Sequence, residues 1–282
     1  MQHVAVLGSD KLGAGIAALA LANGDRVTLW NADGGALDAA RKRIEAGLTI
    51  LNDRGTLDDA ALERTLDALT LTQDLASLTD VDIAIEASRT EHARLGLLAE
   101  LGAQLPAATI IATTTATGSI TALAAATPHP HRVVGMHFFS PVQAIELVEI
   151  IPGLRTADWV IERATELARA WGKTPVESRN RPGFIVARVS IPFASEAIEI
   201  LDDGVATAGT IDALVEAMGF RTGPFAYLDA LGLDVYHASC SSIYQATFGE
   251  ARYRPSTLVA EMIEAGLLGR ESGEGFYDHR SE

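Results

Sequence analysis

The stretch His3-Val4-Ala5-Val6-Leu7-Gly8-Ser9-Asp10-Lys11-Leu12-Gly13, completed by Arg26-Val27-Thr28-Leu29-Trp30, decides how this 282-residue chain is read. His3 to Leu7 is a short apolar run that predicts a strand, and Gly8 ends it. Leu12 to Leu21 is rich in Ala, Gly and Leu, as expected of a helix packed closely under a sheet; Asn23-Gly24 terminates it, and Arg26 to Trp30 predicts a second strand. A strand-turn-helix-turn-strand unit of ~30 residues is of the kind that binds dinucleotides across its first turn. The turn reads Gly8-Ser9-Asp10-Lys11-Leu12-Gly13, so the first and third glycines of G-x-G-x-x-G are present. Asp10 replaces the second, where backbone must approach a pyrophosphate. A carboxylate there adds bulk and like charge, which Lys11 beside it offsets in part. The run starting at Gly13-Ala14-Gly15 fits the same pattern but begins inside the helix, and reads as close helix packing. Where the second strand should end in an acidic residue for the adenosine ribose stands Asn31, with Asp33 two residues on. An amide can bond a ribose hydroxyl, without the charge that discriminates against a 2′-phosphate. The loop supports nucleotide binding or a purely structural turn.

Outward from this unit, residues Gly35 to Leu69 are helical in pattern and heavily charged, broken by Asn52-Asp53-Arg54-Gly55, which predicts a helical pair projecting from the sheet. A strand over Val81 to Ala87, a helix from about Glu91 to Leu101 and a strand over Thr109 to Ala112 follow. That strand runs into Thr113-Thr114-Thr115-Ala116-Thr117-Gly118-Ser119. A hydroxyl-rich loop at a strand's carboxyl end is where ligands collect in parallel sheets; spare threonines ahead of a helix N-cap before Ile120 is the equal alternative. Val133 to Met136 then brings His137 to the same edge, within Gly135-Met136-His137-Phe138-Phe139-Ser140-Pro141. Glu149 arrives from the next strand-like run, Ala144 to Ile151. An imidazole with a carboxylate behind it has the form of an oriented general base, and a lone histidine among aromatics can equally be a satisfied core residue.

Beyond Lys173 to Glu177 the composition changes. Arg181-Pro182-Gly183-Phe184 marks a linker, and helices are predicted over Ile185 to Asp202, Thr210 to Met218, Leu233 to Phe248 and Ser256 to Ala265. In the first of these, Glu196, Glu199 and Asp202 fall on one face, with Val189, Phe193, Ala197 and Ile200 on another. The expected fold is therefore an α/β, Rossmann-like N-terminal domain over residues 1–181, with a helical pair at about 35–69, followed by an all-α domain over residues 182–282. Short helices with much apolar surface suggest burial against a second copy, hence a homodimer through the C-terminal domain. A formal net charge of −15 argues against nucleic acid, whose phosphates need a basic surface. Cys240 is the sole cysteine, so an internal disulfide or thiolate metal cluster is excluded. No run approaches the ~18 apolar residues of a membrane span, and no signal peptide precedes the first strand, so a cytoplasmic protein is expected.

The stretches GSDKLGAGIA, DIAIEA, GMHFFSPVQAIELVEII, RPGFIVAR, TGPFAYLDALGLD and RYRPSTLVAEMIEAGLLGRESGEGFYDH together resemble the L-3-hydroxyacyl-CoA dehydrogenase family, bacterial 3-hydroxybutyryl-CoA dehydrogenases in particular, over essentially the whole chain. The resemblance implies an NAD-binding domain with a projecting helical tail, a helical dimerisation domain, and a 3-hydroxyacyl thioester as substrate. It implies that His137 is the base and Glu149 its orienting partner, and that Gly8, Lys11, Leu12, Gly13, Asn31, Glu91 and Thr115 contribute to the cofactor site. Ser140, Thr117 and Ser119 are the candidates for substrate binding. The family's loop serine is Ala116 here, the asparagine three residues after the histidine is Ser140, and that of the GFIV-Asn-Arg stretch is Ala187. Thr90 stands where the acidic residue following IEA would align, one residue before Glu91. These departures predict poor activity on ordinary short-chain substrates and leave a second reading open: a weak or inactive dehydrogenase-like homodimer that binds a nucleotide or acyl-CoA. For the phosphates of CoA, Arg41, Lys42, Arg43 and Arg54 are candidate partners.

Overall fold

The computed structural model describes residues 1–53, 55, 65–88 and 91–280, with Glu91 and His92 as backbone only. The chain divides into two compact units, Met1–Arg181 and Pro182–Glu282.

The N-terminal unit is built on one sheet: β1 (His3–Leu7), β2 (Arg26–Trp30), β3 (Leu69–Thr72), β4 (Ile83–Glu86), β5 (Ile110–Thr113), β6 (Val133–Phe138), β7 (Leu147–Pro152) and β8 (Thr174–Glu177). The order is β3-β2-β1-β4-β5-β6-β7-β8. Strands β1 to β6 run parallel; β7 turns back antiparallel to β6, and β8 runs parallel to β7. The direction of winding reverses between β1 and β4, which opens a crevice at their carboxyl ends.

Period-two alternation sorts the strand residues. Val4, Val6, Val27, Leu29, Ile83, Ile85, Val134, Met136, Phe138, Val148 and Ile150 share one core with α1 (Lys11–Ala22), α2 (Gly34–Asp53) and α5 (Asp158–Ala170). The alternate residues, which include Glu86, Thr113, His137 and Glu149, point to the face carrying α3 (Glu91–Gln104) and α4 (Ile120–Ala125). Gly135 lies where α4 comes closest: a Cβ there would stand 2.8 Å from Ile120 Cδ1. Gly15 does the same for α1, with an added Cβ 3.0 Å from Val142, so the second glycine pattern does reflect packing. Of the predicted helical pair the first member is α2; the second falls mostly outside the described residues. Strands β3 and β8 and helix α5 were not predicted, while the short α4 is the helix offered as the alternative reading of the loop before Ile120.

Arg132, fully buried, ties α3 to the sheet. It donates to the carbonyls of Gly102 (2.7 Å), Leu105 (3.1 Å), Thr109 (3.3 Å) and Pro106, so a cation sits at the helix carboxyl end. Burial lowers its pKa from the usual arginine value, yet so strong a base stays charged.

The C-terminal unit comprises α6 (Val186–Asp202), α7 (Ala208–Ala217), α8 (Pro224–Leu231), α9 (Leu233–Ala246) and α10 (Thr257–Glu264). Its core gathers Ile191, Ala194, Ala197, Ile198, Phe225, Leu228, Tyr236, Cys240 and Ile243. Of the apolar α6 face, Ala197 is inside, Ile200 packs at the margin, and Val189 and Phe193 are exposed. Two buried carboxylates pin the unit. Asp212 accepts from the N–H groups of Phe225 and Ala226 (2.9 Å each) at the start of α8, and from the Tyr277 hydroxyl (2.8 Å). Asp229 accepts from the N–H groups of Phe276 and Tyr277 and from His279 Nε2, all at 2.9 Å. Gly275 permits this approach, since a Cβ there would lie 2.3 Å from Asp229 Oδ1. Burial pushes the Cys240 thiol up to about 11, so it is a protonated, inert core residue at neutral pH.

Candidate active site

His137 and Glu149 are direct cross-strand partners on the antiparallel β6–β7 pair, so the ladder itself sets them side by side on one face. Nδ1 of His137 lies 2.6 Å from Glu149 Oε2. Glu149 is 1% exposed and His137 9%. An ionised carboxylate only accepts, so the imidazole proton belongs on Nδ1, and Nε2 becomes the nitrogen that can take or return a proton. The ring of Phe139 leans on the imidazole at 4.4 Å between centroids and limits its rotation. The sequence paired these two residues across twelve positions, and the structure brings them together.

At the crevice, a cavity of about 420 Å³ is lined by Gly8, Ser9, Asn31, Ala36, Arg43 and Ser88, among others. Gly8, at φ +132°, is required: a Cβ on it would come within 2.5 Å of Ala87 O, and one on Gly13 within 2.1 Å of Gly8 O. The first and third glycines therefore do the work their positions imply. Asp10 does something the sequence reading did not assign. It is the N-cap of α1, accepting from the N–H groups of Leu12 (3.1 Å) and Gly13 (3.2 Å). The donors that such a turn offers to a pyrophosphate are thus held by the chain's own carboxylate. Asn31 donates to Ser9 Oγ at 2.6 Å and accepts from the Asp33 N–H at 2.9 Å.

The wall carrying Ala87 and Ser88 is fixed by Glu86, a fully buried residue the sequence reading passed over. Its carboxylate accepts from Ser88 N–H (2.5 Å), the Thr113 hydroxyl (2.6 Å) and Arg94 Nε (2.8 Å). An acidic residue closing an apolar strand was the available signal.

The remaining candidates divide. Thr115 is buried and its Oγ1 accepts from Gly118 N–H at 2.9 Å, a bond that shapes the loop after β5. Ser119 caps α4, as in the alternative reading of this loop, accepting from Ala122 N–H at 3.3 Å, and Asn180 joins this cap by accepting from Ile120 N–H at 3.0 Å. Thr117 is half-buried in the same loop, and Ser140 is exposed just past β6. Lys11 is exposed on the first turn of α1. The side chain of Glu91 lies outside the described residues, as do Thr90 and Arg54. Of the basic residues considered for CoA, Arg41 pairs with Glu45 at 3.2 Å, while Arg43 lines the crevice cavity instead. Among the described residues no cluster of His, Cys, Asp or Glu could hold a metal, and no helix is long and apolar enough to cross a membrane.

A cavity with apolar walls, a glycine cradle and hydroxyl, amide and guanidinium groups at one end suits the adenosine half of a dinucleotide. The comparison with known proteins agrees. Residues 3–181 match the model for the 3-hydroxyacyl-CoA dehydrogenase NAD binding domain, and residues 183–279 match that for its C-terminal domain. The chain belongs to the 3-hydroxyacyl-CoA dehydrogenase family. Among relatives, it is 41% identical over 284 residues to the 3-hydroxyadipyl-CoA dehydrogenase of Escherichia coli, covering all of this chain but 60% of that protein. It is 37% identical to a probable 3-hydroxybutyryl-CoA dehydrogenase of Deinococcus radiodurans, covering 97% of this chain and 99% of that one. The solved (S)-3-hydroxybutyryl-CoA dehydrogenase of Ralstonia eutropha superposes with a TM-score of 0.92 at 32% identity, covering 99% of both chains. As a 3-hydroxyacyl-CoA dehydrogenase family member the chain is an NAD-dependent oxidoreductase, with NAD as its cofactor. The resemblance seen in its motifs is in this respect borne out, as is the division of its fold into a Rossmann-like unit and a helical one.

Proposed function

We propose that this chain interconverts a 3-hydroxyacyl thioester and its 3-oxo form, with His137 as the acid-base residue and Glu149 as the group that orients it. The 2.6 Å pair at the sheet's carboxyl edge is the observation that carries this reading. Bound NAD supplies the hydride acceptor at C3 of the substrate, and NADH the donor in reverse. In oxidation Nε2 of His137 takes the 3-hydroxyl proton, and Glu149 stabilises the imidazolium that results. In reduction the same pair returns the proton to the developing alkoxide. A base held this way contributes ~10²–10⁴ in rate.

The chain's departures set the expected level of activity. Ala116 and Ala187 cannot donate to a substrate oxygen, and loss of one positioned donor costs ~10²–10³ in turnover. For activity above that level, Thr117, Ser119 or Ser140 would have to take over part of that role. The expected result, followed by absorbance of NADH, is slow but measurable oxidation of NADH with acetoacetyl-CoA. Other 3-oxoacyl-CoA thioesters, including the six-carbon dicarboxylic one suggested by the E. coli relative, complete the panel. Absence of NADH consumption with every thioester, while NADH still binds, would favour the second reading, a nucleotide- or acyl-CoA-binding homodimer of little activity. The capture of the α1 N–H groups by Asp10 is the observation on that side.

The C-terminal unit is proposed to pair with a second copy. Val189 is 69% exposed, and Phe193 and Phe220 stack at 5.2 Å on the surface, beside an apolar groove of about 600 Å³. Apolar surface of this kind marks an interaction face. Sedimentation is expected to give a dimer that Val189→Glu with Phe193→Glu converts to monomer; a wild-type monomer at micromolar concentration contradicts the pairing.

A further inference from the structure

The crevice cavity carries a charge pattern that the proposed reaction leaves unexplained. On its α2 side it is lined by Ala36, Ala39 and Arg43, spaced to share one helical face. Arg43 donates from Nη1 to the Ser9 carbonyl at 3.2 Å, and Asn31 donates from Nδ2 to Ser9 Oγ at 2.6 Å. A guanidinium and an amide thus gather on the two oxygens of Ser9, between the ends of β1 and β2, where the adenosine ribose falls in folds of this winding. A ribose with both hydroxyls unmodified is held there by a carboxylate, which accepts from them and repels a phosphate; an arginine at this place does the reverse.

The nearby carboxylates are turned to other tasks. Asp10 also lines the cavity, with its Oδ1 committed to capping α1 through the Leu12 and Gly13 N–H groups. Asp33 is absent from the cavity lining and accepts from Gly35 N–H at 2.9 Å, at the start of α2. The amide oxygen of Asn31 is taken by the Asp33 N–H at 2.9 Å. Arg43 makes a single hydrogen bond among the described residues, which leaves most of its five N–H donors for a ligand.

We infer that the ribose subsite accepts a 2′-phosphate, with Arg43 as the specificity-determining residue, so that NADP(H) is taken at least as readily as NAD(H). This rests on the dinucleotide reading of the crevice, and the test separates the two. Adenosine 2′,5′-bisphosphate and 5′-AMP differ only by the phosphate in question, and titration calorimetry on the full chain reads their affinities without any turnover. The bisphosphate is expected to bind about tenfold or more tightly than AMP, an advantage that shrinks as salt is raised. Arg43→Ala should bring the bisphosphate down to the AMP value while leaving AMP itself within about twofold, since of the contacts it removes only the 3.2 Å bond to the Ser9 carbonyl is made without the phosphate. Asn31→Asp should reverse the preference, and the ratio of kcat/KM for NADPH over NADH should follow the same order in all three proteins. AMP binding as tightly as the bisphosphate in wild type, or Arg43→Ala weakening both alike, overturns the 2′-phosphate assignment and leaves the dinucleotide site intact. Failure of both ligands, and of NADH, to bind overturns the dinucleotide reading with it.

Discussion

Replacement of His137 by Gln is expected to lower kcat for reduction of a 3-oxoacyl-CoA by about 10³, within the ~10²–10⁴ range of a positioned acid-base group. The dissociation constant for NADH should stay unchanged, because the residue belongs to the β6 end of the edge while the adenosine cavity is formed by β1, β2 and β4. Glu149→Gln is the informative companion. It retains an acceptor for Nδ1–H at nearly the same place but removes the charge that stabilises the imidazolium, so kcat should fall by a smaller factor, about 10². The double variant should be little worse than His137→Gln alone, because Glu149 acts only through the imidazole. Stopped-flow absorbance under single turnover checks all three. Equal kcat in wild type and His137→Gln would leave the pair as a structural cross-strand bond.

The second large effect concerns stability. Arg132→Met is expected to destabilise the folded chain by about 3–5 kcal/mol, since the carbonyls of Gly102, Leu105 and Thr109 lose a buried donor, while that of Pro106 keeps the Thr109 N–H, and each unsatisfied acceptor costs about 1–3 kcal/mol before relaxation. For a chain of this size that corresponds to a fall in Tm of roughly 10 °C. Calorimetry checks the figure, and an unchanged Tm would show that water or backbone movement satisfies those carbonyls without help. Methionine keeps most of the apolar stem, so the loss reports the guanidinium rather than a cavity.

Why some features were legible in the chain and others were not follows from how each is encoded. The β1-α1-β2 unit announces itself because burial on both sheet faces demands continuous apolar runs, and because Gly8 and Gly13 have no room for any side chain. The His137–Glu149 pair was legible because two strands joined by a short connection must align antiparallel, which makes a fixed sequence offset a fixed spatial contact. Strands β3 and β8 carried no such signal. Leu69–Thr72 has no fully buried residue, and Thr174–Glu177 is an edge strand containing Pro175, so neither needs an apolar run. Asp10 stands directly ahead of a helix, the ordinary mark of an N-cap, at a position where the glycine pattern has its own meaning, so one residue carries two competing signals. Arg43 and Ser9 are 34 residues apart, and Asp229 lies 47 residues before Phe276. No local pattern encodes such meetings; they exist only after the core has folded.

The altered positions carry a related lesson. Ala116 and Ala187 are partly buried small residues that require no polar partner from the fold. The orienting pair is a different matter, because a buried carboxylate such as Glu149 is costly unless a donor meets it. Its presence opposite a histidine is therefore a stronger statement about chemistry than the loss of polar groups in a loop.

The claim that His137 and Glu149 serve hydride transfer at a thioester is tested most directly by isotope transfer. NADH deuterated at the nicotinamide C4 position is mixed with acetoacetyl-CoA and excess wild-type protein, and the thioester is analysed by mass spectrometry. The account predicts 3-hydroxybutyryl-CoA carrying deuterium at C3 from one of the two C4 stereoisomers of the label, and none when His137→Gln replaces wild type over the same interval. Recovery of unreduced, unlabelled acetoacetyl-CoA from both labels, with NADH shown to be bound, would contradict it.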